Sequence, residues 1–141
     1  MVAHWPAGIA ARGELRHSAV HFVDIVPTLL ELAGSRPLQT EKDKALPVAP
    51  GISLVPLLAK EGAVKHEYLW WHHNDNRAIR QGDWKLVAAG KAGPWELYNI
   101  GHDRGETKDL AAAQLEQVRE LAALWQEKSN EFTALARQPG Q

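Results

Sequence analysis

Two tight turns constrain this chain more than any other feature. Asn74-Asp75 and Gly82-Asp83 each separate short runs rich in aromatic and branched residues. A two-residue connection can only join antiparallel neighbours. Residues 68–73, 76–81 and 84–89 are therefore expected as consecutive strands. After a loop at 90–94, residues 95–100 make a fourth. The result is a meander. A helix predicted over 114–133 carries Leu115, Val118, Leu121, Ala122 and Trp125 at helical spacing, and that stripe is suited to pack on the sheet.

The first half reads differently. Residues 1–23 look irregular, with a short strand at 20–23. Asp24 stands where a helix N-cap belongs, and Gly34 stops the helix expected over 25–33. Pro27 falls in the first turn, where its missing N–H does no harm. Ile25, Leu29 and Leu32 share one face. Pro37, Pro47 and Pro50 mark a loop over 35–50. Ser53 is read as the N-cap of a short helix ending at Leu58, followed by a polar connection at 60–65. Residues 137–141 are read as a frayed end. The fold class is α+β: a small antiparallel sheet of about four strands packed by a long C-terminal helix, plus a helical N-terminal segment. The expected division is 1–65 and 66–141.

Composition narrows the function classes. The chain has 141 residues, 45% apolar and 23% charged, so it can bury a core. A formal charge of -1 gives no reason to expect nucleic acid or an anionic membrane as partner. There is no Cys, which removes disulfides, thiolate metal sites and cysteine nucleophiles together and leaves the compartment undecided. No basic stretch followed by an apolar one is read at the start of the chain.

Tyr68, Leu69, Trp70 and Trp71 are all apolar, whereas a strand with one wet face alternates. Such a strand asks for cover on both sides: the last helix can cover one, and the other calls for another domain or another subunit, or for the helical segment 24–33 as a second layer. His72 and His73 follow it. Neighbours on a strand point to opposite faces, so the two do not share a metal ion, and His66 adds no partner at ligand spacing. Asn76, Arg77 and Arg80 carry anion-binding chemistry but suit structural or interface use better. Asp24 reads as a cap rather than a metal ligand, and Lys85 as a lysine on a solvated face.

Several ordered pieces then converge: Ala3-His4-Trp5-Pro6-Ala7-Gly8-Ile9, the stretch from Asp24-Ile25-Val26-Pro27-Thr28 to Ala33-Gly34, Gly51-Ile52-Ser53-Leu54, Asn76-Arg77-Ala78-Ile79-Arg80-Gln81-Gly82-Asp83-Trp84-Lys85-Leu86-Val87 and Glu96-Leu97-Tyr98-Asn99. Asp103, Glu106 and Asp109-Leu110-Ala111 follow in the same order. Together they resemble the C-terminal portion of type I sulfatases, the arylsulfatase-like, formylglycine-dependent enzymes. The resemblance implies that 1–65 ends a large α/β domain of the alkaline-phosphatase-like kind and that 66–141 is the C-terminal subdomain. It also implies sulfuric ester hydrolysis by a formylglycine nucleophile and a calcium ion, both held on an upstream catalytic domain. The implied partners are that domain and a sulfated small molecule or glycan. Relatives are often periplasmic or secreted. Ser18, Ser35, Ser53 and Ser129 lack the combined Pro/Ala and Arg positions of the Cys/Ser-x-Pro/Ala-x-Arg motif. No catalytic residue or metal ligand is therefore expected here. His73 matches a family histidine that points towards substrate. His72 stands where an acidic residue is common, and Asp75 where Gly is common.

Three readings compete. The chain completes the substrate rim of a sulfatase and is inactive alone. It is a non-catalytic module that self-associates or binds a partner through 68–71. Or it is a histidine-based hydrolase built on His73 with Asp75 beside it. The last lacks a third member.

Overall fold

A computed structural model describes residues 1–36, 40–41, 44–45 and 50–137. The loop prolines Pro37 and Pro47 and the residues 138–141 lie outside the described residues. The chain divides into two units, the first comprising Met1–His66 and the second beginning at Glu67.

The first unit is built around two short helices. A 3-10 turn, Phe22–Asp24, stands where a strand over 20–23 was expected, and runs directly into α1, Ile25–Leu32. The apolar run at Val20 and Val23 suggested a strand, but the Asp24 carboxylate bonds the His21 N–H and closes a tight turn instead. Gly34 follows the helix at a φ of 66°, a left-handed conformation that stops it where the sequence indicated. Two very short strands, β1 (Thr40–Glu41) and β2 (Lys44–Ala45), pair antiparallel within the stretch read as a loop. α2 spans Val55–Ala59, with Leu54 rather than Ser53 at the N-cap position. Ser53 Oγ still accepts the Val55 N–H, at 3.2 Å. Leu54, Leu57 and Val64 form this unit's small core, with Val20 packed on it.

The second unit is the meander. Strands β3 (Leu69–His73), β4 (Asn76–Gln81), β5 (Trp84–Ala88) and β6 (Glu96–Asn99) pair in chain order, all antiparallel. Asn74 and Asp75 both have positive φ, as a two-residue hairpin turn of the right twist demands. Trp70 pairs with Ile79, Ile79 with Leu86 and Leu86 with Leu97, so one apolar row crosses all four strands. Helix α3, Leu115–Arg137, lays Leu121 and Trp125 on that row, and Ile79, Leu86 and Leu97 are wholly buried beneath it. At about 25 cal/mol per Å² of apolar area, each such side chain contributes roughly 1.5–3 kcal/mol. α3 runs further at its C-terminal end than the 114–133 span, and Leu115, expected in its packing stripe, is exposed.

Two tryptophans sew helix to sheet. Trp70 and Trp125 stack with ring centres 5.8 Å apart. Trp70 Nε1–H donates to the Trp125 carbonyl at 3.2 Å, and Trp125 Nε1–H to the Trp71 carbonyl at 3.1 Å. Each indole thus buries its ring without orphaning its donor. On the other side of β3, Leu69 is buried as well. The free edge of β6 is covered too: Leu97 N–H donates to Asp109 Oδ1 and its carbonyl accepts from Leu110 N–H.

Candidate functional site

The β3–β4 hairpin carries both histidines singled out from sequence. Alternation sends them to opposite faces. His72 lies on the α3 side, its ring edge-on to Trp125 at 5.5 Å and to Trp70 at 6.0 Å. His73 lies on the other side, exposed, and its Nε2 is 3.1 Å from the Asn74 amide nitrogen. The two rings do not converge. Among the described residues, no group of three or more His, Asp or Glu side chains is placed to hold a metal ion.

The other candidates around the hairpin have structural work. Asn76 Oδ1 accepts the Gly90 N–H at 2.9 Å, pinning the loop between β5 and β6. Arg77 donates to the carbonyls of Lys91 (3.0 Å) and Gly93 (2.9 Å) while its guanidinium sits 4.8 Å above the Trp95 ring. Its fork is spent on that same loop. Arg80, on the opposite face, bonds the Gly82 carbonyl at 2.8 Å. Lys85 is half-buried and paired with Glu106, not free on a solvated face.

The acidic positions after β6 also hold backbone. Asp103 accepts the N–H groups of Thr107 (2.8 Å) and Lys108 (2.9 Å). Its carboxyl lies below the usual range, with the Lys108 N–H as the largest cause. Asp109 bonds both Leu97 and Ala111 N–H groups.

Sequence reading missed the most strongly built polar cluster, in the first unit. Asp24 makes no capping bond to α1 and is instead wholly buried. Its carboxylate takes the His21 N–H at 2.7 Å, the Ile52 N–H at 3.0 Å and the His66 Nε2 at 2.8 Å. One turn on, Thr28 Oγ1 takes the Leu54 N–H at 2.8 Å and gives its own proton to the Asp24 carbonyl. Two alternate N–H groups of the 52–54 segment are thus held by two side chains four residues apart, Asp24 at the N-cap position of α1 and Thr28 within it. Burial pushes the Asp24 carboxyl up. The His21, Ile52 and His66 bonds outweigh that and leave it below its ordinary value. Gly51 is required beside them, since a Cβ there would stand 2.1 Å from the Val23 carbonyl oxygen. The available signal was the four-residue spacing of Asp24 and Thr28 on the side of the helix away from Val26 and Leu29.

No family model matches the chain. It is similar to an uncharacterized sulfatase of Schizosaccharomyces pombe, 30% identical over 112 residues, covering 75% of this chain and 20% of that protein. A sulfatase of Formosa agariphila is 27% identical over 132 residues, covering 79% of this chain and 22% of the relative. Among solved structures, Ps i-CgsB shares the fold with a TM-score of 0.68 at 23% identity, over 96% of this chain and 29% of its own. A 2-O GAG sulfatase superposes with a TM-score of 0.54 at 27% identity, over 81% of this chain and 25% of its own. The chain spans about a fifth of the length of the curated relatives it matches. In sequence the chain is similar to part of the length of known sulfatases and in fold it matches part of a solved chain, as a C-terminal sulfatase portion would.

Proposed function

We propose that this chain forms part of the rim of a sulfatase substrate pocket, packed on a catalytic body that supplies the reactive groups, and is inactive alone. The observation behind this reading is the contrast at the hairpin. Asp24, Arg77, Asp103 and Asp109 are spent on backbone, whereas His73 is exposed at the end of β3 with only the neighbouring Asn74 amide bonded to its ring among the described residues. With that amide donating to Nε2, the ring proton resides on Nδ1. That atom then donates to a sulfate oxygen or to the leaving-group side of the substrate. His72, on the opposite face, shapes the rim through its packing on Trp125. The substrate class is a sulfate ester of a small molecule or glycan. On this reading the formylglycine nucleophile and calcium belong to the catalytic body; among the described residues no three His, Asp or Glu side chains are grouped to hold a metal ion, and the chain has no Cys.

The test is hydrolysis of p-nitrophenyl sulfate. The isolated chain is expected to show no turnover, and turnover by it overturns the reading. A chimaera in which this chain replaces the matching fifth of the Formosa agariphila sulfatase is expected to be active. In it, His73→Ala is expected to raise KM about tenfold with a smaller change in kcat, as loss of one binding contact predicts.

A further inference from the structure

Helix α1 is amphipathic in reverse. Its polar side, carrying Asp24 and Thr28, is the inward one, bonded to the 52–54 backbone. Its apolar side faces out. Val26 is 61% exposed and Leu29 59%, one stripe at helical spacing, and Phe22, in the 3-10 turn that leads into the helix, is 82% exposed. Leu32 at 44% and Val23 at 37% flank it. No residue of α1 itself is buried. A surface helix normally turns its apolar stripe inward. Here the inward side is fixed by hydrogen bonds, so rotation cannot relieve the exposure. Contiguous apolar surface of this kind marks a contact with another body.

We propose that the stripe through Phe22, Val26 and Leu29 is the surface on which the rest of a sulfatase docks. The proposal rests on the reading that this chain works as part of such an enzyme, and it places the contact on α1 rather than on the 68–71 strand. The occupant is an apolar, uncharged face within the four fifths of the relatives' length that this chain does not match. The relatives carry the matching stretch inside one longer polypeptide, so cover is supplied by the same molecule and no second copy of this chain is needed. The stripe is free of charge, and Glu31 lies on the other side of the helix, so only an apolar partner gains by covering it.

Because the chain has no Cys, Leu29→Cys adds a single thiol to it. Maleimide labelling at that position, located by mass spectrometry, is compared in the isolated chain and in the chimaera described above. The isolated chain is expected to label at the rate of an open thiol, independent of protein concentration. In the chimaera the rate is expected to fall at least tenfold. Val26→Glu is a second variant, expected to leave the isolated chain's circular dichroism unchanged while preventing the chimaera from assembling. Equal labelling in both proteins overturns the proposal. So does a labelling rate in the isolated chain that falls with concentration alongside a dimer mass, which assigns the stripe to a second copy. Failure of the wild-type chimaera to assemble counts against it as well. If a chimaera hydrolyses p-nitrophenyl sulfate with the thiol still open, the docking surface is wrong and the enzymatic reading stands.

Discussion

Asp24→Asn tests the polar clamp directly. The carboxylate accepts three hydrogen bonds while wholly buried. An asparagine keeps one carbonyl oxygen for one backbone N–H. Its amide group then faces the remaining N–H, donor against donor. A bond to a charged acceptor contributes about 1.5–3 kcal/mol, and an orphaned buried donor costs about 1–3 kcal/mol. The expected loss is therefore about 3 kcal/mol, and more for Asp24→Ala, which removes all three bonds. Tryptophan fluorescence is a poor probe, because five of the six tryptophans lie in the second unit and the sixth, Trp5, is already 42% exposed. Amide hydrogen exchange at Ile52 is the suitable assay. A loss of this size lowers its protection by about two orders of magnitude at neutral pH. The pH dependence has a definite sign. The folded carboxyl lies below its ordinary 3.8, so the unfolded chain binds the proton more tightly. The stabilisation is complete above 3.8 and is lost as pH falls through the folded value. Wild type and Asp24→Asn should converge in acid. Unchanged Ile52 exchange in the variant, or a gap that persists at low pH, refutes the reasoning.

Trp125→Ala removes a buried ring, its stack on Trp70 and the bond from its indole N–H to the Trp71 carbonyl, while the residue-125 main-chain carbonyl still accepts the Trp70 indole N–H; it is expected to cost about 3–5 kcal/mol in guanidinium unfolding followed by circular dichroism. Gly51→Ala drives a Cβ into the Val23 carbonyl, 2.1 Å away, and is expected to cost about 2 kcal/mol or more in the same assay, because the obstacle is backbone. The bond to Glu96, burial and nearby acids push the Tyr98 phenol up to about 12, so its phenolate absorbance should emerge only there; Glu96→Gln should bring it down.

The meander was legible because its turns are short and its strands recur at regular intervals, and β4 matches its expected span. α3 was legible from Leu121 and Trp125, though Leu115 was misplaced, since spacing alone does not say where the sheet ends. The first unit was harder. Its short helices are held by side-chain bonds to distant backbone, as when Asp24 reaches Ile52. Hydrophobic periodicity carries no trace of such bonds. α1 inverted the usual rule, so its apolar face pointed to packing that the described residues do not supply. At the hairpin, the opposite orientation of His72 and His73 followed from strand alternation. The engagement of Arg77 with the Lys91 and Gly93 carbonyls did not, because a loop's path is not written in the residues that grip it.

The side chains that mark this stretch as sulfatase-like are occupied in holding loops to one another. Asp24, Thr28, Asp103 and Asp109 each satisfy main-chain donors. Selection for a stable shape is enough to preserve them. A descendant that had lost the ability to cleave anything would still retain the same letters, so their survival in a genome vouches for architecture and leaves turnover to be established elsewhere.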